Sequence, residues 1–266
     1  MKNFPRSFGS MVGRVALVTG ASSGIGAAIM QLFVEKGGRV HAVARRGSEI
    51  ERIMGEDSLA RGSTVVHEMD VSDSDAMTEL GTFLAGHDPI DTLVLAAGTN
   101  IPNRRLSQVT IEDWNNVIAT NLSGAFYPLT ATIDQLRDRQ GDVVFVSSVS
   151  ARWPDHAGPA YGASKSGLLG LAAGTGLDEH MNGVRVTSIL PGIVNTAILD
   201  KRPIPPSQEL REWCVQPEDV AQATLTAVTM PPRTNLAEIT VVATRLQTLG
   251  KTQEANPTLP EDLRAS

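Results

Sequence analysis

One tyrosine and one lysine have the types and the spacing for proton transfer. Tyr161 and Lys165 lie in a segment with helical character, so their i, i+4 spacing places both on one helix face. A phenol has a pKa near 10, which is too high for acid–base catalysis at neutral pH. A cation about 4 Å away contributes about 4 kcal/mol at an effective dielectric constant of 20, or roughly three pKa units. We therefore expect Lys165 to bring the pKa of Tyr161 near about 7, where a general acid–base group works best. The alternative is a surface tyrosine stacked along a lysine stem.

A glycine-rich loop joins the first predicted strand to the first predicted helix. Glycines permit a tight turn and a close approach of the backbone to a pyrophosphate, and a helix N-terminus presents free N–H groups to it. The position of this loop therefore predicts a dinucleotide site, with a simple turn as the alternative. The loop residues assigned to the cofactor are Gly20, Ser22, Ser23, Gly24, Ile25 and Gly26.

Two arginines follow the second predicted strand, about 20 residues after the glycines, where an acidic residue would bind the ribose diol of NAD. The sequence there reads Ala44-Arg45-Arg46. Guanidinium groups bind a 2′-phosphate through charge and bidentate hydrogen bonds, so Arg45 and Arg46 favour NADP(H) over NAD(H). NAD(H) stays an alternative because the arginines tolerate the phosphate rather than demand it. A solvated basic turn is the other alternative.

Short apolar segments alternate with longer segments of helical character. Several of the short segments are continuously apolar, which is typical of strands buried on both faces of a parallel sheet. The pattern predicts one Rossmann-type α/β domain, doubly wound, with a mostly parallel seven-stranded sheet and helices on both faces. The predicted strands are Val15–Val18, Arg39–Ala44, Thr64–Met69, Thr92–Ala96, Asp142–Val146, Val184–Leu190 and Glu238–Val242. The predicted helices include Gly26–Lys36, Asp73–Ala85, Ile111–Thr130 and Ala160–His180.

The domain is expected to span residues 14–250, with irregular tails at residues 1–13 and 251–266. Within it, Asp200–Ser207 contains three prolines and is unlike a regular helix or a central strand. This segment is expected to form a loop that covers the substrate.

Composition excludes several classes of partner. The chain has 266 residues, with 23 Lys and Arg against 29 Asp and Glu, for a formal charge of −6. Its basic residues are scattered, so no nucleic-acid partner is expected. No apolar run approaches the roughly 18 residues of a membrane span, and the apolar stretch at residues 15–18 ends too early for a secretion signal. Cys214 is the single cysteine, so no intrachain disulfide can form, and the five histidines show no metal-ligand spacing. We expect a cytoplasmic protein with no metal.

Taken together, the motifs resemble those of the short-chain dehydrogenase/reductase family from about Arg14 to Val242. The glycine loop resembles the cofactor loop of the family, and Ser148 precedes Tyr161 by the thirteen residues typical of it. Asn121 matches the helix asparagine of the catalytic tetrad. The resemblance implies that Asn121, Ser148, Tyr161 and Lys165 are catalytic.

The resemblance also implies further cofactor contacts. Asp70 and Val71 match the adenine-contacting pair, and the motif at residues 191–196 matches the one that holds the nicotinamide amide. The implied contacts are Asp70, Val71, Ala97, Gly98, Tyr161, Lys165, Pro191, Gly192, Val194 and Thr196. One departure is that residues 95–98 read Leu-Ala-Ala-Gly where the family usually has Asn-Asn-Ala-Gly. Ser147 adjoins Ser148, but neighbouring strand residues face opposite sides, and the spacing favours Ser148.

The activity implied by the resemblance is NADP(H)-dependent reduction of a ketone or aldehyde to an alcohol, or the reverse, as in a carbonyl reductase. Tyr161 would act as general acid or base, Ser148 would hydrogen-bond the reacting oxygen, and Lys165 would contact the nicotinamide ribose. Asn121 would hold a water that links Lys165 to solvent. The alternatives are an NAD(H)-dependent alcohol dehydrogenase, a non-catalytic NADP(H)-binding redox sensor, and an epimerase or dehydratase.

The expected partners are a small carbonyl or alcohol substrate and further copies of the chain. Residues 95–105, 152–158 and 193–213 should shape the pocket, where Arg104, Arg105 or Arg152 are candidates to hold an acidic group. Trp153, His156, Trp213 and Cys214 are weaker candidates for substrate contacts or a lid. The segments Ile111–Thr130 and Ala160–Gly176 are apolar on more than one side, and members of the family pair these two helices across a two-fold axis, so the resemblance implies a homodimer or homotetramer.

Overall fold

A parallel sheet of seven strands forms the centre of the computed structural model, which describes residues 7–153, 155–246 and 258–264. The strands are β1 (Val15–Thr19), β2 (Arg39–Ala44), β3 (Thr64–Glu68), β4 (Thr92–Leu95), β5 (Asp142–Val146), β6 (Arg185–Pro191) and β7 (Glu238–Val241). They are ordered β3-β2-β1-β4-β5-β6-β7, and every pair is parallel. The predicted doubly wound fold is confirmed, and each predicted strand end lies within one residue of the observed one.

Helices cover both faces of the sheet. They are α1 (Gly24–Glu35), α2 (Gly47–Ala60), α3 (Ser74–His87), α4 (Ile111–Ile118), α5 (Gly124–Arg139), α6 (Pro159–Glu179), α7 (Gln208–Glu212) and α8 (Pro217–Thr229). Alternate residues of β1 serve the two layers: Val18 packs in the cluster that contains α1 and α8, and Leu17 packs in the cluster that contains α3, α5 and α6. Because both faces are buried, the central strands need apolar residues at nearly every position.

The single helix expected over Ile111–Thr130 is divided in two. A π-helical turn at Ala119–Ser123 separates α4 from α5, and Asn121 lies inside it. Helix α5 then continues to Arg139 although Pro128 lies within it. Helices α2 and α7 were not among the predicted elements; α2 is largely polar and contains a kink at Gly55, where φ is +70°.

The two segments expected to be irregular tails differ in how they pack. Met11 is fully buried beside α1, and its backbone N–H donates to the carbonyl of Lys36. Of the expected C-terminal tail, residues 251–257 and 265–266 lie outside the described residues, as do residues 247–250 of the expected domain. A short 3₁₀ turn forms at Glu261–Leu263, and Leu259 is buried. Among the described helices, none is long and apolar enough to cross a membrane.

Candidate active site

A cleft of about 950 Å³ opens at the carboxyl ends of the strands. The loops that follow β1 to β6 all contribute to its lining. The strand order reverses between β1 and β4, and ligands of open parallel sheets bind at such a switch point. The cleft is therefore the place to test the predicted site residues.

The glycine loop forms one wall of the cleft, and close packing fixes its shape. Gly20 has a φ of +70°, and a Cβ there would lie 2.8 Å from the Cα of Ala97. A Cβ on Gly26 would lie 2.4 Å from the carbonyl oxygen of Gly20. Helix α1 begins at Gly24, and the side chain of Ser23 at its N-cap does not hydrogen-bond to the first turn. The N–H groups of that turn are thus free of a side-chain cap, as a phosphate-binding wall requires.

The two predicted phosphate-binding arginines line the cleft beside this loop. Arg46 donates a long hydrogen bond of 3.5 Å to the hydroxyl of Ser22, and Arg45 lies 3.9 Å from the carboxylate of Asp70. The Arg45 side chain is 70% exposed, so its guanidinium is not committed to the protein core. A glycine cradle at one point and two accessible guanidinium groups nearby fit the pyrophosphate and 2′-phosphate of an NADP molecule.

The proposed acid–base group lies further along the cleft. Ser148 follows β5 and lies close enough to Tyr161 of α6 for its hydroxyl to act on the pKa of the phenol as a hydrogen-bond donor. One helical turn later, the Nζ of Lys165 lies 5.7 Å from the centre of the Tyr161 ring and donates to the carbonyl of Val146 at 2.8 Å. Lys165 is only 4% exposed, which contradicts the alternative of a surface tyrosine–lysine stack. The hydroxyl of Ser147 instead donates to the backbone carbonyl of Lys165.

Asn121 is fully buried and holds the loop after β4 against α6. Its Oδ1 accepts from the backbone N–H of Thr99 at 2.7 Å, and its Nδ2 donates to the Thr99 carbonyl and to the hydroxyl of Ser164, both at 3.0 Å. The small residue Gly98 leaves room here, because a Cβ on it would lie 3.4 Å from the Nζ of Lys165. The Asn121 side chain thus hydrogen-bonds to Thr99 and Ser164 and braces the site.

Burial controls the proton affinities of the pair. It raises the pKa of Tyr161 to about 12, although the Ser148 hydrogen bond and the charges of Arg104 and Arg202 act in the opposite direction. It also lowers the pKa of Lys165 to about 8. The expectation that Lys165 brings the pKa of Tyr161 near 7 is therefore wrong for this structure. The cost of burying a phenolate exceeds the benefit of an ammonium group that is directed at a backbone carbonyl. At neutral pH Tyr161 is therefore protonated.

The three predicted pocket segments all contribute to the cleft lining, but only some of the candidate residues on them line it. Arg104 is buried in the cleft wall, Arg105 is exposed at the cleft, and Arg152 pairs with Glu238 outside the cleft lining. Of the weaker candidates, His156 lines the cleft and is exposed. Trp153, Trp213 and Cys214 do not line it, and burial raises the pKa of the Cys214 thiol.

The proline-containing segment borders the cleft as expected. Lys201, Arg202, Pro203 and Ile204 are among the lining residues. The Nζ of Lys201 donates to the hydroxyl of Thr99 at 2.8 Å, so the segment is tied to the loop after β4.

Sequence reasoning missed a short hydrogen-bonded chain that starts at Ser148. Ser148 donates to the hydroxyl of Ser150 at 3.1 Å, and Ser150 donates to Asp155 at 2.7 Å. The negative charge of Asp155 adds to the raised pKa of Tyr161. The only sequence signal was an acidic residue between Ser148 and Tyr161. Within the described ranges, no group of three metal-binding side chains is arranged to hold an ion.

Comparisons with known proteins agree with this geometry. A family model described as short chain dehydrogenase matches residues 14–204. An uncharacterized oxidoreductase of Staphylococcus haemolyticus is 31% identical over 234 residues, which cover 86% of this chain and 96% of that protein. A serine 3-dehydrogenase of Rhizobium radiobacter is 35% identical over 181 residues, covering 68% of this chain and 72% of that protein.

Solved structures are similar over nearly their whole length. The closed form of a serine dehydrogenase complexed with NADP⁺ has a TM-score of 0.81 and 28% identity, covering 91% of this chain and 100% of that one. An alcohol dehydrogenase of the archaeon Thermococcus sibiricus complexed with 5-hydroxy-NADP has a TM-score of 0.77 and 27% identity, covering 88% and 98%.

Proposed function

The chain belongs to the short-chain dehydrogenase/reductase family and is an oxidoreductase, and we propose that it reduces a ketone or aldehyde to an alcohol with NADPH, or catalyses the reverse. The observation that carries the proposal is that Ser148, Tyr161 and Lys165 line the same cleft as the glycine cradle, with the Lys165 Nζ 5.7 Å from the centre of the Tyr161 ring. The similarity to an alcohol dehydrogenase and a serine dehydrogenase supports a reaction that interconverts an alcohol and a carbonyl.

The side chains divide the chemistry between them. When bound, the nicotinamide supplies or accepts the hydride. Tyr161 is protonated at neutral pH and donates its proton to the carbonyl oxygen, while the hydroxyl of Ser148 donates a hydrogen bond to the same oxygen as negative charge develops. Lys165 provides a buried positive charge beside Tyr161, and Asn121 keeps the loop after β4 in place.

The cofactor contacts follow from the same cleft. The glycine loop would bind the pyrophosphate, Arg45 and Arg46 the 2′-phosphate, and Asp70 and Val71 the adenine end. The remaining predicted contacts, which all line the cleft, are Ala97, Gly98, Pro191, Gly192, Val194 and Thr196. The NADP-bound relatives support this choice of cofactor. A cytoplasmic location stays a prediction.

Tyr161→Phe tests the catalytic assignment. Because the variant removes only the phenolic hydroxyl, we expect NADPH binding to stay within about twofold and carbonyl reduction to fall by roughly 10²–10⁴-fold. NADPH binding is followed by fluorescence titration, and turnover by NADPH oxidation against a panel of ketones and aldehydes. Tyr127→Phe is the matched control, since Tyr127 is the second of two tyrosines and does not line the cleft. Full activity of Tyr161→Phe would exclude the acid–base role, and NADPH binding without any turnover by the unmodified protein would favour the redox sensor.

Replacing both Arg45 and Arg46 with alanine tests the cofactor preference. We expect the Kd for NADPH to rise by roughly 10- to 100-fold for each charge-assisted hydrogen bond that is lost, because one such bond is worth about 1.5–3 kcal/mol. The Kd for NADH, which has no 2′-phosphate, should change by less than about twofold. Arg52→Ala is the control, as Arg52 is exposed on α2 and pairs with Glu49. Equal changes for the two dinucleotides would overturn the NADP(H) assignment.

We also propose that copies of the chain associate through α4, α5 and α6. Trp114, Phe126 and Leu177 are large apolar residues on these helices and are substantially exposed. Gly170 and Gly174 leave open space on α6, which would allow close approach of another helix. A monomer in sedimentation equilibrium at micromolar concentration would contradict a homodimer or homotetramer.

A further inference from the structure

The cleft is far more basic than the chain as a whole. It is lined by seven cationic side chains and two carboxylates, whereas the chain has a net charge of −6. The cations are Arg45, Arg46, Arg104, Arg105, Lys165, Lys201 and Arg202, and the carboxylates are Asp70 and Asp155. The phosphates of a dinucleotide account for Arg45 and Arg46, and Lys165 belongs to the proposed catalytic group. The other four cations have no role in the proposed reaction so far.

Arg104 is the most unusual of these four because it is only 8% exposed. Its Nε donates to the carbonyl of Ile101 at 2.8 Å, but within the described ranges no carboxylate lies within ion-pair distance of its guanidinium group. Burial and the neighbouring charge of Arg202 both lower the pKa of Arg104. Burying a cation without a counter-ion destabilises a fold, and a bound anion would offset that cost.

The fold holds Arg104 in a fixed position. Gly158 has a φ of +91°, and a Cβ there would lie 2.5 Å from the carbonyl oxygen of Arg104. The side chain of Asn100 donates to the carbonyl of Ala157 at 3.1 Å, which joins the loop after β4 to the loop before α6. The guanidinium group is therefore preorganised rather than carried by a free loop.

Asp155, whose negative charge acts on Arg104, already accepts hydrogen bonds from other groups. Asp155 accepts hydrogen bonds from the hydroxyl of Ser150 at 2.7 Å and from the backbone N–H of Ala157 at 2.9 Å. Arg104, Arg202 and Asp155 all lie close enough to Tyr161 for their charges to affect its pKa. The unpaired guanidinium and the proton donor thus face the same part of the cleft.

We propose that Arg104 binds a carboxylate of the substrate, with Arg202 adding positive charge, so that the substrate is a short hydroxy acid or the corresponding oxo acid. The inference rests on the proposed function, because the carbonyl group that reacts is the one to which Tyr161 donates its proton. The planar guanidinium group matches a carboxylate through two parallel N–H···O bonds. A phosphate ester would offer a similar anion and is tested as a separate ligand.

Calorimetric titration of the NADPH-loaded protein tests this inference without turnover, since NADPH and an alcohol cannot react. The probes are hydroxy acids of three to six carbons, each with its neutral amide, and glycerol phosphate. We expect at least one acid to bind about tenfold or more tightly than its amide. Arg104→Gln should abolish that difference and leave the affinity of the amide within about twofold. Arg61→Gln removes an equal charge from an exposed position and should preserve it.

Because Arg104 is buried, Arg104→Lys serves as a second variant, and circular dichroism checks that both fold. The lysine keeps the positive charge but cannot make the two parallel hydrogen bonds of a guanidinium group, so the variant should retain a reduced preference for the acid over its amide.

The inference is overturned if every acid binds no better than its amide, if no acid binds at millimolar concentration, or if Arg104→Gln keeps the preference for the acid. Tighter binding of glycerol phosphate would also overturn it in favour of a phosphate subsite. If the enzyme reduces neutral ketones but no acid binds more tightly than its amide, only this inference fails. If acids bind selectively but no carbonyl is turned over, only the proposed function fails.

Discussion

The proton affinity of Tyr161 reflects a balance between burial and a few nearby charges. Burial is the largest influence and favours the neutral phenol, while Arg104 and Arg202 favour the phenolate. Asp155 acts against the two arginines from within the same loop as Ser150. The carboxylate therefore helps to keep Tyr161 protonated, and its removal should change the pH dependence of the proposed reaction.

Asp155→Asn should lower the pKa of Tyr161 from its value of about 12, because the two arginines then act without an opposing charge. Alcohol oxidation needs the phenolate, so its rate at a fixed pH below that pKa should rise, by up to about tenfold for each unit of pKa. The measurement is the pH profile of kcat for oxidation, which should move to lower pH. Asparagine has one acceptor oxygen for the two donors that Asp155 binds, so it can keep the hydrogen bond from Ser150, and with it the position of Ser148, only by giving up the one from the Ala157 N–H.

The matched control for this charge removal is Asp57→Asn, since Asp57 is exposed and does not line the cleft. Its pH profile should equal that of the unmodified protein. A profile of Asp155→Asn that stays in place or moves to higher pH would show that Asp155 does not affect the proton affinity of Tyr161.

Among the secondary-structure elements, the strands were predictable and the functional irregularities were not. Each central strand is a short run of Val, Leu and Ile because it is buried on both faces, and that composition is visible in the sequence. The π-helical turn around Asn121 has no such signature, since it is stabilised by tertiary contacts to Thr99 and Ser164. Helix α2 was missed because its polar composition and the kink at Gly55 leave little apolar periodicity.

In the site, too, features set by the local sequence were predictable, and features set by the packing of distant segments were not. The i, i+4 spacing of Tyr161 and Lys165 and the position of the glycine loop follow from local structure, so the sequence placed them correctly in one cleft. The pKa of Tyr161 was wrong because burial depends on the packing of distant segments. Asp155 and Arg202 were not singled out for the same reason, since both reach the cleft from irregular loops.

At the scale of the whole molecule, the two ends of the sheet have different electrostatic roles. The carboxyl ends of the strands bear the basic cleft. At the opposite end, Arg14 and Arg185 are buried with Asp91 and Asp142. Asp142 accepts from Arg14 and from Arg185 at 2.7 Å each, and Arg14 also pairs with Asp91 at 2.7 Å. This ion cluster connects β1, β5 and β6 without contributing to the cleft lining.

Asp142→Asn tests whether this cluster stabilises the fold independently of the site. Because the variant leaves two buried guanidinium groups short of one negative charge, we expect the free energy of unfolding to fall by about 3–5 kcal/mol. Urea denaturation followed by tryptophan fluorescence measures that loss, and the Kd for NADPH of the folded variant should stay within about twofold. Asp134→Asn is the matched control: Asp134 also pairs with an arginine at 2.7 Å, but its side chain is 88% exposed, so it should cost less than about 1 kcal/mol. Equal losses in the two variants would mean that burial of the cluster adds nothing. A large loss of NADPH affinity in folded Asp142→Asn would instead mean that the two ends of the sheet are coupled.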